Sequence, residues 1–410
     1  DRVFEEMHRF PADIYKICTH AQTTIDSLRM LDFTQKKRKE KKAVAGMCMG
    51  IFGAVTRILA PIVDSVLTYI PSDNKDNLMQ GNVTLKDLVE VYHYNRLDTR
   101  TAVYALLGNP VEPSIGHLIR NRFFFDKKIA AIYVKLEINP SDLPHLFPLI
   151  KTLPFKGFSV TMPLKGCVGA YMDSIDSDAK EMGAINTIGL SDGKWIGYNT
   201  DGRGAILAIE KKIPIAKSCF LIFGAGGAAK AVAYALFKKG GRVTIINRDI
   251  EKARVLAKKL NGKYGSFNSI SAFLKQGFDA IINATSIGMT PKMDEKVFDA
   301  NSLDKKTLVF DLVYKPKDTR LIKDAKRAGC RVIFGIELYA YQEALQLEIC
   351  LGKGLDIDRA AHAIIDFNDS LDQEKQERLT KGGTQIRTGD RGFAGPCLTT
   401  WPCHQKHNRL

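Results

Sequence analysis

Four short segments place polar side chains directly after apolar runs that read as buried strands. They contain Ser114, then Thr161 with Lys165, then Asn186, and last Asp201. Ligands of open α/β folds bind outside the carboxyl ends of the strands, so these side chains could meet at one site. Their hydroxyl, ammonium, amide and carboxylate groups suit a polar ligand held by directional hydrogen bonds. Each segment alone is also compatible with ordinary turn chemistry, since Asn-Thr-Asp-Gly and Pro-Leu-Lys occur in turns and helix starts.

A glycine-rich turn follows the apolar run Cys-Phe-Leu-Ile-Phe. In order, it contains Gly224, Ala225, Gly226, Gly227 and Ala228. Gly224 allows the tight turn, Gly226 lets the backbone approach a pyrophosphate, and the helix start offers free N–H groups to the anion. A lone glycine motif is weak evidence, but strand, turn, helix and second strand all agree here. The sequence therefore predicts a dinucleotide site.

The second strand of this unit ends at Asn247, Arg248 and Asp249. An NAD site usually carries an acid there that holds the ribose 2′-hydroxyl. Arg248 could instead pair with a 2′-phosphate and stack on adenine, although it could also be an arginine at an exposed strand end. Asp249 would repel a 2′-phosphate if it faced the site. On balance the sequence predicts NADP rather than NAD as the cofactor.

The elements that must position these groups have α/β patterns. From about Thr101, apolar strands alternate with helices through residue 371. From Asp1 to about Asn95, short apolar runs also alternate with amphipathic helices, as in parallel βα units. After about Asp372 the chain is rich in Gly, Thr, Lys and Arg without a sustained period, which predicts disorder or a non-native tail.

Composition sets the outer limits. The 410 residues suggest two or three domains, and 45% hydrophobic with 26% charged residues is typical of a globular protein. The net charge of +15 invites a nucleic-acid reading, but the run from Lys36 to Lys42 is local, and we interpret it as a solvated helix end.

No stretch reaches the ~20 apolar residues of a membrane span. The eight cysteines have no paired metal spacing, which favours a reducing, cytoplasmic compartment and no metal. Asp1 in place of methionine indicates a fragment.

Nine motifs occur in the order of one known family: GNPVEPSIG, FSVTMPLKG, GAINTI, YNTDG, GAGGAAKA, INRD, NATSIGM, FDLVYKPKDTRL and GIELYAYQ. Through them, residues 108–371 resemble shikimate dehydrogenase. The resemblance implies an NADP-dependent oxidoreductase that reversibly reduces 3-dehydroshikimate to shikimate in aromatic amino acid biosynthesis. It implies Lys165 and Asp201 as the catalytic pair, and further cofactor contacts at Thr285 and Gly335. The implied substrate ligands are Ser114, Thr161, Asn186, Tyr314 and Gln342.

The chemistry of the implied pair fits this reaction. Oxidation of a secondary alcohol needs a hydride acceptor and a base for the hydroxyl proton, and reduction needs the corresponding acid. Lysine can serve if its surroundings draw its pKa toward neutrality, whereas a partner carboxylate tends to raise that pKa. We therefore assign proton transfer to Lys165, and positioning and electrostatics to Asp201.

One departure from the family pattern concerns the loop that binds the substrate carboxylate. The family usually has two serines there, one residue apart, but this chain has Ser114 followed by Gly116, and Arg120 replaces the histidine that usually precedes Asn121. The carboxylate would be held more weakly, or by backbone N–H groups or Arg120. Substrate or cofactor choice could be relaxed, for example toward quinate.

Residues 1–97 resemble the C-terminal part of a type I 3-dehydroquinate dehydratase, a (β/α)8 barrel, so the chain resembles an N-terminally truncated bifunctional dehydratase–dehydrogenase. The resemblance implies Lys16 as the Schiff-base lysine and Arg57 as the carboxylate ligand, with Asn82 in place of a family glutamine. From the residues alone, a lysine in an apolar strand either snorkels or is functional. The family's catalytic histidine lies on an earlier strand that this chain does not include, so we expect little dehydratase activity from it.

The predicted fold class is α/β: a shikimate dehydrogenase-like substrate domain plus a Rossmann NADP-binding domain, preceded by an incomplete (β/α)8 barrel. Its predicted parts are the barrel segment 1–97, the substrate-binding domain 101–215, the Rossmann domain 216–335, C-terminal helices 336–371 that return to the substrate domain, and the tail 372–410. The predicted partners are small-molecule substrates, without nucleic acid or membrane, and the oligomeric state stays open. Two other functions compete: a nucleotide-binding regulator without turnover, which Gly116 alone favours, and nucleic-acid docking through the basic segments.

Overall fold

The structure is a computed structural model that describes residues 2–70, 83–300, 303–352, 354–381 and 399–402. The chain divides into two compact units, residues 1–171 with 377–410, and residues 172–376. This division differs from the five parts predicted from the sequence, whose boundaries stay predictions. Asn82 lies outside the described residues, so its predicted role is not addressed.

The first unit opens with three αβ repeats. Their elements are α1 Arg2–Met7, β1 Tyr15–His20, α2 Thr24–Lys39, β2 Val44–Met49, α3 Ala54–Ile58 and β3 Leu67–Ile70. Strands β1 and β2 pair in parallel, with Tyr15 opposite Val44. Helix α2 connects them and buries an apolar face that includes Leu28 and Leu31. A parallel pair requires such a crossover, so the alternating apolar runs predicted this arrangement for a physical reason.

The remainder of the first unit is a second parallel sheet. Its elements are β4 Ala102–Gly108, α4 Gly116–Asp126, β5 Ala131–Glu137, α5 Leu143–Ile150 and β6 Phe155–Val160. Strand β4 lies between β5 and β6 and pairs with both in parallel. It is buried along nearly its whole length, which explains its continuous apolar sequence.

The second unit begins with β7 Ser174–Ile175, α6 Ser177–Met182, β8 Thr187–Ser191, β9 Lys194–Tyr198 and α7 Asp201–Glu210. Strands β8 and β9 form an antiparallel hairpin. Its two-residue turn has positive φ at both Asp192 and Gly193, the combination that a tight hairpin turn of matching twist requires. The hairpin places Asn186, just before β8, opposite the chain that enters α7.

The described residues of the second unit also form a six-stranded parallel sheet in the order β12-β11-β10-β13-β14-β15. The elements are β10 Cys219–Phe223, α8 Gly227–Lys238, β11 Arg242–Ile246, α9 Ile250–Lys259, β12 Lys263–Gly265, α10 Ile270–Leu274, β13 Ala280–Asn283, β14 Leu308–Asp311, α11 Arg320–Arg327, β15 Arg331–Ile333, α12 Gly335–Leu351 and α13 Ile357–Lys381. The strand order reverses between β10 and β13, which creates the crevice where dinucleotides bind. The predicted α/β class with a Rossmann sheet is confirmed.

Beyond residue 372, where the sequence predicts disorder or a non-native tail, the structure describes two stretches with secondary structure, and the prediction for the tail as a whole stays a prediction. Helix α13 continues to Lys381, ten residues beyond the predicted boundary, since Gln, Glu and Lys in this stretch are good helix formers. Residues Thr399–Pro402 form β16, which pairs antiparallel with β3. Composition alone missed both, because helix extension and strand pairing depend on neighbours as well as on local polarity.

Candidate active site and cofactor-binding edge

The glycine-rich turn between β10 and α8 has the shape that a phosphate group needs. Gly224 has φ +112°, and a Cβ there would lie 2.8 Å from the Ala284 carbonyl oxygen, so only glycine fits. Gly226 is exposed, and no heavy atom lies within 4 Å of the position its Cβ would take. Gly227 begins α8, whose first N–H groups are free of helical partners. Ala229 is fully buried where the helix packs on the sheet.

On one side of this turn, a cavity of about 860 Å³ extends along α8 and α9. Arg248 is exposed at the end of β11 and lines the cavity together with Gly226. Three further cations line the cavity and were not selected from the sequence: Lys230, Lys252 and Lys259. Only their spacing along the two helices could have indicated them. The lining therefore carries four cations that could bind an anionic ligand, and three carboxylates, Glu181, Asp249 and Glu251, line the same cavity.

Asp249 occupies the N-cap of α9 in this cavity. Its Oδ1 accepts hydrogen bonds from the N–H groups of Glu251 (3.1 Å) and Lys252 (3.4 Å). Its other oxygen lies 3.6 Å from the Lys252 ammonium. Asn247 donates from Nδ2 to the Asp249 carbonyl (2.9 Å), which fixes the turn. The carboxylate is thus engaged by the helix start, where negative charge is favourable, and this reduces the repulsion predicted for a 2′-phosphate.

On the other side of the turn, the loops after β13 and β14 border the crevice. Thr285 donates from both its N–H (3.0 Å) and its hydroxyl (2.7 Å) to the Asn283 side-chain oxygen. A Cβ at Gly335 would overlap the Val313 carbonyl oxygen, so the start of α12 lies against the loop after β14. Tyr314, on this loop, stacks on Tyr339 at a ring distance of 5.0 Å. Burial and the nearby Glu343 raise the pKa of the Tyr314 phenol, which keeps it a neutral donor.

A buried polar cluster lies at the start of α7. Asn186 and Asp201 are 1% and 3% exposed. The Asn186 Nδ2 donates to Asp201 Oδ1 (2.7 Å) and to the Thr200 hydroxyl (3.0 Å), while its Oδ1 accepts from the Thr200 N–H (2.9 Å) and the Thr187 hydroxyl (2.8 Å). The Asp201 N–H donates to Asn199 Oδ1 (3.0 Å). Asn186 therefore holds the Asp201 carboxylate, and Asn199 holds the backbone of the same residue.

Gln342 approaches this cluster from α12. A Cβ at Gly204, in the first turn of α7, would lie 3.1 Å from the Gln342 backbone nitrogen, so the two helices are in close contact. Four residues along α12, Gln346 donates to the Thr200 hydroxyl (3.4 Å). Sequence reasoning did not select Thr200 or Gln346. The sequence offers only weak indications of them: Gln346 is a polar residue within an apolar helix, and Thr200 directly precedes Asp201.

The remaining predicted groups of the dehydrogenase part lie in the first unit. The Ser114 hydroxyl oxygen accepts from the Gly116 N–H (3.2 Å) at the start of α4. Thr161 follows β6 and packs its methyl group against Gly108. Lys165 is half-buried on a short 3₁₀ helix, Leu164–Gly166. Because Lys165 and Asp201 belong to different units, their pairing stays a prediction.

Arg120, suggested as a substitute for the missing serine, is buried on α4. It is 1% exposed, and its guanidinium carbon lies 4.4 Å from the centre of the Tyr133 ring. Asn121 braces the same residue, donating to the Tyr133 carbonyl (2.9 Å) and accepting from its N–H (2.7 Å). Arg120 thus packs between α4 and β5, which disfavours a role for it in the carboxylate site, and that suggestion stays a prediction.

The two predicted dehydratase residues lie beside Tyr69. The ammonium of Lys16, exposed on β1, lies 3.9 Å from the centre of the Tyr69 ring. Arg57 is 7% exposed and donates to the carbonyl oxygens of Cys48 (2.7 Å), Tyr69 (3.0 Å) and Gly53 (3.3 Å). Burial lowers the pKa of the Arg57 guanidinium. Three of its donor bonds therefore serve the main chain.

The basic segment near residues 36–42 is partly paired within the first unit. Lys36 bonds Asp32 (2.6 Å), Lys37 bonds Glu5 and Glu40 (both 3.2 Å), and Arg38 bonds Asp64 (2.9 Å). Over the described residues, no group of three or more His, Cys, Asp or Glu side chains is gathered as a metal site would require. No described helix combines the length and apolar character needed to cross a membrane.

Comparison with known proteins decides the family. Residues 106–188 match the shikimate dehydrogenase substrate binding domain, and residues 207–325 match the shikimate/quinate 5-dehydrogenase family. A shikimate dehydrogenase (NADP(+)) of Methanocaldococcus jannaschii is 42% identical over 279 residues, which cover 66% of this chain and 98% of that protein. The chain belongs to the shikimate dehydrogenase family. A shikimate dehydrogenase solved in complex with NADP+ has the same fold, with a TM-score of 0.61 and 39% identity over 66% of this chain and 96% of that one.

The N-terminal segment matches a second family. Residues 1–99 match type I 3-dehydroquinase. The bifunctional 3-dehydroquinate dehydratase/shikimate dehydrogenase of Arabidopsis thaliana, named as chloroplastic, is 34% identical over 368 residues, which cover 86% of this chain. The chain spans 60% of the length of that relative. Both resemblances inferred from sequence motifs, to shikimate dehydrogenase and to the dehydratase, are confirmed.

Proposed function

We propose that this shikimate dehydrogenase family member is an NADP-dependent oxidoreductase that reversibly reduces 3-dehydroshikimate to shikimate. The observation that carries the proposal is the buried Asn186–Asp201 pair at the start of α7, within the same unit as a complete dinucleotide turn. The names of the relatives support the same reaction and cofactor. Shikimate is the intermediate that aromatic amino acid biosynthesis requires from this step.

NADP fits the residues of the second unit. Gly226 leaves open space at the start of α8, and Arg248 stands in the cavity beside it. Arg248 would pair with the 2′-phosphate, and the first N–H groups of α8 would bind the pyrophosphate. Thr285 and Gly335 shape the opposite loops, where the nicotinamide half would lie. When bound, NADP supplies or accepts the hydride.

The chain's own residues manage the proton. In the reduction, Lys165 donates a proton to the oxygen of the former carbonyl, and in the oxidation it removes the proton from the same hydroxyl. Asp201, whose carboxylate is held by Asn186, would position the reacting hydroxyl by accepting a hydrogen bond from the substrate, since an ionised carboxylate is an acceptor only. The rigid hydrogen bonds around Asp201 reduce the reorganisation needed during reaction.

The substrate is held by directional bonds. We assign this to Ser114, Thr161, Tyr314 and Gln342, and to Asn186, which would have to exchange one of its bonds within the buried cluster for a bond to the substrate. The Ser114 oxygen already accepts the Gly116 N–H, so its own hydrogen is available to a carboxylate. Tyr314, kept neutral by its raised pKa, can donate in the same way.

The primary test is NADPH formation from shikimate by the whole chain. A panel of shikimate and quinate, each with NADP and NAD, separates this proposal from the quinate alternative, which Gly116 favours because it lacks the second hydroxyl. NADPH binding without turnover of either substrate would indicate the regulator alternative instead. Binding of duplex DNA, tested at several salt concentrations, would support the third candidate function, which the paired lysines disfavour.

The dehydratase reaction belongs, we propose, to the whole bifunctional protein, with Lys16 as the Schiff-base lysine and Arg57 as the carboxylate ligand. The Arg57 bonds to the main chain leave part of its guanidinium for a ligand. Borohydride reduction in the presence of 3-dehydroquinate would trap a covalent adduct on this chain if Lys16 is competent, and Lys16→Ala is the control. The predicted cytoplasmic location also stays a proposal, and the word chloroplastic in the name of the Arabidopsis relative points to an alternative.

A further inference from the structure

A fully buried carboxylate that the proposed reaction does not use lies at the carboxyl end of β14. Asp311 is 0% exposed. Its Oδ1 accepts from Asn283 Nδ2 (2.9 Å) and from the Val313 N–H (3.1 Å), and its Oδ2 accepts from the Thr319 hydroxyl (2.6 Å). Burial raises the pKa of Asp311 to about 6, while the three hydrogen bonds oppose that rise. Its acceptor geometry therefore ties three chain segments to one side chain.

The first tied segment is the loop after β13. Asn283, which donates to Asp311, also donates to the Ile287 carbonyl (3.1 Å), and its oxygen accepts both donors of Thr285. The Thr285 hydroxyl in turn accepts the Ile287 N–H (3.1 Å). The Asn283 side chain thus holds the loop closed. Asp311 sets the orientation of this side chain, because only the N–H end of an amide can face a carboxylate.

The second and third segments are the loop after β14 and the start of α11. The bond from the Val313 N–H fixes the backbone just before Tyr314. Thr319 is the N-cap of α11, and its hydroxyl accepts the Ile322 N–H (3.3 Å) while donating to Asp311. One carboxylate therefore determines how the chain leaves β14 and where the following helix begins.

Both loops border the side of the crevice opposite Arg248. The reversal of strand order between β10 and β13 assigns the 2′-phosphate half of a dinucleotide to the β11 side and the other half to the β13–β14 side. The Ala284 carbonyl also lies against Gly224 of the phosphate turn. The segments held by Asp311 are therefore those that would contact the nicotinamide half.

We propose that Asp311 is a positioning residue that shapes the nicotinamide side of the cofactor site through Asn283, Val313 and Thr319, an inference that rests on the proposed NADP-dependent function. A buried carboxylate contributes little to stability compared with an apolar side chain of similar size, because of its desolvation. Its three directed bonds instead specify geometry. Asp311 acts through these loops and touches neither substrate nor cofactor itself.

The test compares Asp311→Asn with Asp279→Asn in the whole chain. Asp279 is a matched control, since it is an exposed carboxylate just before β13 that accepts the Cys219 N–H (2.8 Å) at the opposite edge of the same sheet. The probes are NADPH, which spans both halves of the site, and 2′,5′-ADP, which reports the phosphate half alone. Asp311→Asn should weaken NADPH binding about tenfold, as loss of a buried charge-assisted bond implies, and leave 2′,5′-ADP binding within about twofold. Asp279→Asn should change neither.

The Thr319 variants keep the proposal testable if Asp311→Asn does not fold. Thr319→Ser retains the hydroxyl and should bind NADPH as the parent does, whereas Thr319→Val should lose affinity for NADPH selectively. Unchanged NADPH affinity in Asp311→Asn and Thr319→Val would overturn the proposal, as would equal losses for NADPH and 2′,5′-ADP. A parent chain that binds NADPH but does not oxidise shikimate would contradict the proposed reaction, and the comparison of the two probes would still decide the role of Asp311.

Discussion

The parallel pair β1–β2 and the parallel sheet β10–β15 position their polar side chains in different ways. In the large sheet, side chains after neighbouring strands bond each other, as Asn283 and Asp311 do. In the small pair, Arg57 bonds main-chain carbonyls and Lys16 lies over the Tyr69 ring. The difference teaches that a parallel arrangement alone does not create a site. Side chains must converge from several adjacent strands, which a wide sheet with a reversal of strand order provides.

The largest expected effect concerns the proton transfer that we assign to Lys165. Lys165→Ala should lower kcat for shikimate oxidation by a factor of about 10² to 10⁴, because general acid–base catalysis contributes roughly this much. Steady-state NADPH formation measures it. NADPH affinity, followed by fluorescence, should stay close to that of the parent. A variant that retains near-parental kcat would remove Lys165 from the chemistry.

The next effect is the pH dependence of folding stability that Asp311, bonded to Asn283, should cause. Because the folded pKa of Asp311 is about 6 and its ordinary value is 3.8, the folded chain holds a proton that the unfolded chain has lost between these values. Rising pH through this window therefore destabilises the fold, by up to about 3 kcal/mol at neutral pH. Relative to Asp311→Asn, the parent should lose thermal stability between pH 4 and pH 6.5 and no more above it. A constant difference between the two melting temperatures would contradict the burial of the charge.

A third effect tests the cation on the other side of the crevice. Arg248→Gln should weaken 2′,5′-ADP and NADP binding about 10-fold to 100-fold, since a charge-assisted bond to a phosphate is lost. NAD binding should change little, because NAD lacks the 2′-phosphate. Titration with 2′,5′-ADP measures the loss directly. Arg57→Gln is the matched comparison. It should reduce folding stability without altering the binding of 2′,5′-ADP or NADP.

The smallest effect concerns substrate choice at the start of α4. Gly116→Ser should lower the KM for shikimate a few-fold, because it restores a hydroxyl beside Ser114 where a carboxylate is expected, and one net hydrogen bond is worth about 1 kcal/mol. Gly116→Ala supplies the Cβ without the hydroxyl and is the control. If both variants give the same ratio of shikimate to quinate activity, position 116 does not select the substrate.

The predictions that succeeded from sequence depended on local patterns. The turn at Gly224 could be recognised because its neighbours along the chain define strand, turn and helix. The bond between Asn186 and Asp201 was not predicted, although both residues flank one hairpin. Asp311 was not found, because its partner Asn283 lies 28 residues away and becomes a neighbour only when β13 pairs with β14. The burial of Arg120 was not predicted, because the ring that its guanidinium contacts comes from β5 whereas Arg120 itself lies on α4.

The close approach of Gly335 to the Val313 carbonyl has a consequence for ligand affinity. Helix α12 begins at this contact, and Gln342 lies about two turns further along the same rigid rod. A displacement of the loop after β14 would therefore carry the amide of Gln342 with it. A ligand bound beside Gly335, at one end of α12, would therefore affect how tightly Gln342 binds a ligand further along the helix. By thermodynamic linkage, any such cooperativity acts equally in both directions.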